Sequence, residues 1–324
     1  MLKDKFGRQH DYLRISITEN CNFRCTYCMP IEDYPFVPQK NMMSKEEIVQ
    51  IIRLFHSLGV KKVRFTGGEP LMRKDFIAIL ENIQDLHLSL HLTTNALLLD
   101  RYLDDLKRCK LKSINVSIDT LNKEKFEKIT HRDYLEKVVS NIKLCIENDF
   151  QVRLNTVALK GVNDDEILDL IQFAIDLDIS LRFIEFMPFT DNNWDISKTL
   201  TRKEILETIQ GKFNFEAVES SAHDTATNFK LEKGGSFGII STITAPFCDG
   251  CNRIRITADG KIKNCLFGTQ EFDLLKSIRE GKNNQSIIEE SLVNKHASLG
   301  GLKSFNSSIK NFNTENRSMI RIGG

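Results

Sequence analysis

Short stretches of strictly alternating apolar and polar residues recur along the first two-thirds of the chain. Leu13, Ile15 and Ile17 alternate with Arg14, Ser16 and Thr18, and Val63 and Phe65 with Arg64 and Thr66. Ile114, Val116 and Ile118 alternate with Asn115, Ser117 and Asp119, and Val152 and Leu154 flank Arg153. Successive side chains of a strand point to opposite faces, so each stretch reads as a strand with one apolar and one polar face. The expected strands are Leu13–Thr18, Val63–Thr66, Ser89–Thr94, Ser113–Asp119, Val152–Leu159 and Leu181–Met187.

Between these strands apolar residues recur at helical spacing. Ser44-Lys-Glu-Glu47 reads as a capping box, followed by Ile48, Ile51, Ile52 and Phe55 on one face and Gly59 past the end. Asp133 with Glu136, Asn163 with Glu166, and Thr201 with Glu204 read as helix openings of the same kind. Strands separated by helices imply parallel pairing through right-handed crossovers, in a doubly wound sheet or a barrel. Strands covered by helices on both sides read as continuous apolar runs. Alternation asks instead for a polar, ligand-filled space on one side, which a partial barrel supplies. A half-exposed antiparallel sheet is the alternative, and the intervening helices argue against it.

After Phe213 the pattern changes. Strands are expected at Phe213–Val218, Ala226–Leu231 and Phe237–Thr242, with a hairpin of Asn252–Thr257 and Lys261–Cys265 around Asp259-Gly260. Helices are expected near Glu271–Glu280 and Gln285–Lys295. The predicted fold class is α/β: a partial (βα)6 TIM-like barrel over residues 1–212 and a smaller α+β C-terminal domain over 213–324.

Charge excludes some classes of function. Lys and Arg total 45 and Asp and Glu 44, a net charge of +1, so no global field attracts nucleic acid or a membrane surface. The opening MLKDKFGRQHDYL lacks the apolar core of a signal peptide, and no apolar run reaches about 18 residues. The expected location is cytoplasmic, where thiols stay reduced and clustered cysteines point to metal rather than disulfides.

The cysteines supply the chemistry. Six of the eight form two triplets, Cys21-x3-Cys25-x2-Cys28 and Cys248-x2-Cys251-x13-Cys265. Thiolates are soft ligands for zinc or iron–sulfur clusters. A structural zinc site normally takes four protein ligands, so two sets of three suggest two centres, each with one position open to something that is not protein. A zinc site completed by a distant residue is the alternative. Cys109 and Cys145 read as buried structural cysteines. Arg253 and Arg255, two apart on one strand, share a face where guanidinium forks could hold a triphosphate, or could simply be solvated.

The first triplet, Cys21-Asn-Phe-Arg-Cys25-Thr-Tyr-Cys28 after the first strand, resembles the signature of radical S-adenosylmethionine (SAM) enzymes. The resemblance implies a [4Fe–4S] cluster held by Cys21, Cys25 and Cys28, whose open iron takes SAM and whose reduced form cleaves it to a 5′-deoxyadenosyl radical. Thr66-Gly67-Gly68-Glu69-Pro70, at the end of the second strand, is similar to the motif that grips the methionine part of SAM. The stretch from Cys248 through Arg253-Ile254-Arg255 to Cys265 is similar to the auxiliary-cluster region of the GTP 3′,8-cyclase family of molybdenum cofactor biosynthesis. YLRISIT, VRFTGGEPLMR, LTTNALLL, INVSIDTL, LKGVND, RFIEFMP and the final Arg-Ile-Gly-Gly extend that likeness almost end to end.

The resemblance implies a second [4Fe–4S] cluster on Cys248, Cys251 and Cys265, with its open iron facing guanine. It assigns Tyr27, Gly68, Ser117 and Met187 to SAM, and Arg14, Arg64, Thr93, Arg153, Arg182, Arg253, Ile254 and Arg255 to GTP. Gly323 and Gly324 are assigned to a tail that threads into the site, where composition alone would read a disordered end. Arg153 stands where many relatives have lysine, and Ala96 where they have glycine after TTN. Residues 212–236 match poorly and receive no role.

The implied reaction abstracts hydrogen from C3′ of GTP. The ribose radical then attacks C8, giving (8S)-3′,8-cyclo-7,8-dihydroguanosine 5′-triphosphate, with no acid–base dyad assigned. The implied partners are an electron donor such as flavodoxin or ferredoxin and, next in the pathway, cyclic pyranopterin monophosphate synthase. No nucleic acid or membrane is expected as partner, and a homodimer is one assembly the resemblance allows. Two other readings are a peptide-modifying radical SAM maturase and a zinc-stabilised binding protein.

Overall fold

All six expected strands form and pair parallel in chain order: β1 (Tyr12–Ser16), β2 (Lys62–Thr66), β3 (Ser89–Thr94), β4 (Ser113–Ser117), β5 (Gln151–Ala158) and β6 (Ser180–Glu185). The computed structural model describes residues 1–29, 34–219, 221–302 and 316–323. Ile17–Thr18, Ile118–Asp119 and Phe186–Met187 leave the ladder at the C-terminal ends of their strands and open the loops there. The apolar set of each strand packs outward against the helices. Leu13, Ile15, Val63, Phe65, Ile114, Val116, Leu154, Leu181 and Phe183 join Ile48, Ile51, Ile52 and Phe55 in one core.

The residues after 213 do not build a sheet of their own. Their strands are β7 (Phe215–Ala217), β8 (Thr227–Leu231), β9 (Ser236–Ile240), β10 (Arg253–Ile256), β11 (Lys261–Lys263) and β12 (Phe272–Asp273). β9 pairs parallel with β6 and β10 parallel with β1, so the C-terminal part extends both edges of the barrel sheet. The order is β12-β11-β10-β1-β2-β3-β4-β5-β6-β9-β8-β7. This topology sets the strand bearing Arg253 and Arg255 directly beside β1.

Local expectations fare unevenly. The capping boxes at Ser44/Glu47 and Thr201/Glu204 form with both reciprocal hydrogen bonds. The other two do not. Asp133 pairs with Lys123, and the helix Leu135–Glu147 is preceded by Tyr134 with no side-chain cap. Asn163 instead holds a loop: its amide nitrogen donates to the carbonyls of Asp119 and Val157, and its oxygen accepts from Leu159 N. Short polar side chains that satisfy neighbouring backbone groups compete with capping. The helix expected from Glu271 begins at Leu274, because Phe272–Asp273 first pair with β11 and Asp273 caps the helix.

Cys109 and Cys145 are buried, as expected of structural cysteines. Among the described residues no helix is long and apolar enough to cross a membrane. The departure at Ala96 has a conformational cost, since its φ of 65° lies in the left-handed region. That region disfavours a Cβ by roughly 1–2 kcal/mol. Ala96→Gly should therefore stabilise the cluster-free chain by up to about 1 kcal/mol, after glycine's larger unfolded-state entropy is subtracted, and so raise its thermal midpoint. An unchanged or lower midpoint would mean that the Ala96 methyl contributes more by packing than it costs.

Candidate active site

The parallel register stacks the polar strand positions into rows that face the barrel interior. Arg14 of β1 lies opposite Arg255 of β10 on one side and Arg64 of β2 on the other. Asn115 of β4 lies opposite Arg153 of β5, and Asn155 of β5 opposite Arg182 of β6. These rows line a cavity of about 440 Å³. Arg14, Lys62, Arg64, Arg153 and Arg182 enter it from the barrel strands, Arg253 and Arg255 from β10. The carboxylate among its lining residues is Asp224. So lopsided a set calls for an anion.

The electrostatics agree. Burial, and then the neighbouring Arg255, push the Arg14 guanidinium down to about 9; burial and then Arg253 push Arg255 down to about 10. Burial and then Arg153 push Arg182 down to about 10. Cations that depress one another are held ready for a polyanion that would relieve them. Unsatisfied polar atoms also mark the space: Arg255 Nη1, Arg182 Nε, Asn115 Oδ1 and Asn155 Oδ1 are buried without a partner. A ligand with both acceptors and donors would satisfy them.

Cys248, Cys251 and Cys265 line this same cavity. Burial would raise the Cys251 thiol, but Arg253 and Lys295 outweigh it and bring it down to about 6. Leu299 N donates to Cys248 Sγ at 3.4 Å, a backbone hydrogen bond of the kind that tunes the potential of a cluster held by such sulfurs. Gly250 is obligatory in this loop: a Cβ there would sit 1.4 Å from Ala222 O. Residues 221–225, which carry no role in the family likeness, pack on the loop and put His223 and Asp224 into the cavity.

The first triplet occupies the loop that leaves β1, held by the glycines after β2. Gly68 N donates to Thr18 O and Glu69 N to Asn20 O, each at 2.8 Å. A Cβ on Gly68 would lie 2.3 Å from Asn20 O, so only glycine allows this approach. Glu69 accepts from Leu71 N, Thr94 Oγ1 and Asn95 N; burial raises its carboxyl to about 7. Tyr27 OH donates to Asp119 at 2.6 Å, and Asp119 also accepts from Val157 N. Burial and then Glu69 push the Cys21 thiol up to about 11, and burial with Cys21 pushes Cys28 up to about 12. Burial, followed by Asp119, drives Cys25 well above the thiol range. Such thiols stay protonated until a metal displaces the proton.

All six cysteines are free and only partly buried, so the donor sets fit two clusters. Among the described residues, no three Cys, His, Asp or Glu side chains surround one point closely enough to chelate a single ion. Thiolates that each hold a different iron of a cluster need not converge as zinc ligands must.

The tail joins the two triplets. Ile320 packs with Met29 and Tyr34 beside Cys21 and Cys28, while Ile322 packs with Phe189, Phe267 and Leu299 beside Cys248 and Cys265. One turn of helix, Met319–Ile322, therefore stands between them. Gly323 follows with φ 79°; a Cβ there would lie 2.5 Å from Thr66 Oγ1 and 2.8 Å from Ser16 Cβ, at the C-terminal ends of β2 and β1. Gly324 lies outside the described residues.

Most of the sequence-derived residues converge here, with exceptions. The Ile254 side chain is fully buried in the core on the face opposite Arg253 and Arg255, which excludes a ligand contact by that side chain. Thr93 and Ser117 do not line the cavity; Thr93 Oγ1 is buried and unpartnered. Met187 lines it together with Met319 of the tail. Tyr12, Lys62, Asn115 and Asn155 were missed, although each occupies a polar position of an alternating strand.

A model of the Radical SAM superfamily matches residues 15–174, and one described as Molybdenum Cofactor Synthesis C matches residues 179–299. The chain is 44% identical over 283 residues to the GTP 3′,8-cyclase of Aquifex aeolicus, covering 86% of this chain and 88% of that one. It is 39% identical to the GTP 3′,8-cyclase of Listeria welshimeri, covering 100% and 99%. It is 40% identical to molybdenum cofactor biosynthesis protein 1 of Drosophila melanogaster, covering 90% of this chain but spanning only about half (52%) of that protein. Among solved structures, Streptococcus suis SuiB bound to S-adenosylmethionine superposes with a TM-score of 0.63 at 16% identity, over 97% of this chain and 72% of that one, a likeness of fold alone. The chain belongs to the radical SAM superfamily and, within it, to the GTP 3′,8-cyclase family.

Proposed function

We propose that this chain is a lyase that cyclises GTP to (8S)-3′,8-cyclo-7,8-dihydroguanosine 5′-triphosphate, the first step of molybdenum cofactor biosynthesis. The observation that carries this reading is the single cavity in which Cys248, Cys251 and Cys265 stand beside seven cations, Arg14, Lys62, Arg64, Arg153, Arg182, Arg253 and Arg255. When bound, two [4Fe–4S] clusters and SAM supply one-electron cleavage of SAM and a docking point for the guanine base. The chain's own residues supply position and charge. Cys21, Cys25 and Cys28 would hold the first cluster; Cys248, Cys251 and Cys265 would hold the second. Arg14, Arg64, Arg253 and Arg255 hold the triphosphate, and Arg153 and Arg182 extend the cationic wall. Tyr27, kept in place by Asp119, and Ser117 and Met187 border SAM.

An external donor of the flavodoxin or ferredoxin type delivers the electron, and the product passes to cyclic pyranopterin monophosphate synthase. A reducing cytoplasm suits such clusters. Anaerobic reconstitution with GTP, SAM and dithionite tests the whole: mass spectrometry should detect the cyclised triphosphate and 5′-deoxyadenosine. Formation of 5′-deoxyadenosine with intact GTP would refute the assignment.

Two binding predictions follow from the cavity. Arg255 faces it with Nη1 unpartnered, and a charge-assisted hydrogen bond contributes roughly 1.5–3 kcal/mol. Arg255→Ala should weaken GTP binding about 10- to 100-fold and leave SAM affinity unchanged; equal losses for both ligands would misplace this arginine.

The second prediction concerns pH. Burial would raise the Tyr12 phenol, but Arg64, Arg14 and Lys62 outweigh it and bring it down to about 8. A phenolate would compete with a bound polyanion for these cations. Tripolyphosphate affinity should therefore be full below pH 8 and fall as pH rises through it, and Tyr12→Phe should flatten that limb in calorimetric titrations. A variant that keeps the limb would assign it to another group.

A further inference from the structure

We propose that Arg317 is a positioning residue: its ion pairs to Asp259 and Glu271 latch the tail so that Gly323 is seated at the mouth of the barrel. The proposal rests on the reading of the cavity as the cyclase site. Arg317 Nη1 and Nη2 donate to the two Asp259 oxygens at 2.7 and 2.9 Å. Nη2 and Nε reach the two Glu271 oxygens at 2.6 and 2.5 Å. One guanidinium thus engages two carboxylates, each bidentately, in a largely buried setting, which fixes direction as well as distance.

The latch is tied to the part of the fold that carries the second triplet. Asp259 sits in the turn between β10 and β11, and Glu271 directly precedes β12. Asn316, the neighbour of Arg317, accepts from the buried Lys263 Nζ at 3.0 Å and donates to Leu266 O at 3.2 Å. Beyond the latch the contacts turn apolar, with Ile320 and Ile322 docked on either side, and Gly323 ends against Thr66 and Ser16. The one-turn helix makes too few internal hydrogen bonds to persist alone. Its register in the site must come from the anchor before it.

The test compares Arg317→Ala, Arg317→Lys and the double variant Asp259→Asn/Glu271→Gln with the parent, each anaerobically reconstituted and checked for iron content. Hydrogen–deuterium exchange of the peptide spanning residues 316–323 reads the latch directly. Product formed per 5′-deoxyadenosine reads its consequence. Arg317→Ala and the double variant should exchange at least tenfold faster in that peptide and lose at least tenfold in coupling, with Arg317→Lys intermediate. Parent-like exchange in both Arg317→Ala and the double variant overturns the latch. Fast exchange with parent-like coupling would leave the latch standing and instead refute a role for the tail in cyclisation. If Arg317→Ala does not retain iron, the isosteric double variant decides the matter alone.

Discussion

Replacing Cys248, Cys251 and Cys265 together by alanine is expected to lower the iron content from about eight to about four per chain and to abolish cyclisation, while SAM cleavage to 5′-deoxyadenosine continues. The two triplets have separate supports. The first triplet's loop is held by the backbone of Gly68 and Glu69 and by the side chains of Glu69 and Asp119, with no hydrogen bond from these to the second triplet among the described residues. The second triplet shares its cavity with Arg253 and Arg255 and, on the proposed function, lies with the substrate. A loss of about a thousandfold or more in product corresponds to roughly 4 kcal/mol of transition-state positioning, within reach of a misplaced base. Iron content and 5′-deoxyadenosine formation are the readouts. Unchanged iron would mean that the second triplet holds no cluster.

Gly323→Ala should have the next largest effect. The added methyl would meet Thr66 Oγ1 at 2.5 Å and Ser16 Cβ at 2.8 Å; the hydroxyl can rotate, but Ser16 Cβ moves only with the backbone of β1. The residue's φ of 79° adds roughly 1–2 kcal/mol against any L side chain. The tail must then leave the barrel mouth, and product per 5′-deoxyadenosine should fall at least about 100-fold, the equivalent of some 3 kcal/mol. Gly281→Ala serves as a control, because Gly281 has φ 64° and nothing within 4 Å of its Cβ position. It should lose a little stability and no coupling. Parent-like coupling in Gly323→Ala would show that the seat of Gly323 is not needed for the reaction.

Much of the fold was legible because alternation is a strong signal. Arg14, Arg64, Arg153 and Arg182 each take a polar position in an alternating strand, and period two sends them all to one face. The spacing Cys21, Cys25, Cys28 and the glycines at 67–68 were readable for a similar reason: close backbone approach and shared ligation tolerate few substitutes. What the sequence concealed was long-range pairing. Nothing local in Arg253–Ile256 says that this strand lies beside β1, nor in Ser236–Ile240 that it extends the sheet beyond β6. A C-terminal region with its own family match over residues 179–299 was legible, but the pairing of its strands with both edges of the barrel sheet was not. Asn163 and Asp133 misled because a short polar residue before a helix can satisfy a loop equally well. Asp119 and Arg317 escaped notice because their importance lies in partners 92 and 58 residues away.

On the proposed function, this cavity brings a SAM-derived radical to C3′ of GTP. Single-turnover reaction with GTP deuterated at C3′ tests it most directly, since abstraction there moves the deuterium into 5′-deoxyadenosine. The expected product is 5′-deoxyadenosine one mass unit heavier, formed together with a cyclised triphosphate that has lost the label. Unlabelled 5′-deoxyadenosine accompanied by GTP that keeps its deuterium would contradict it.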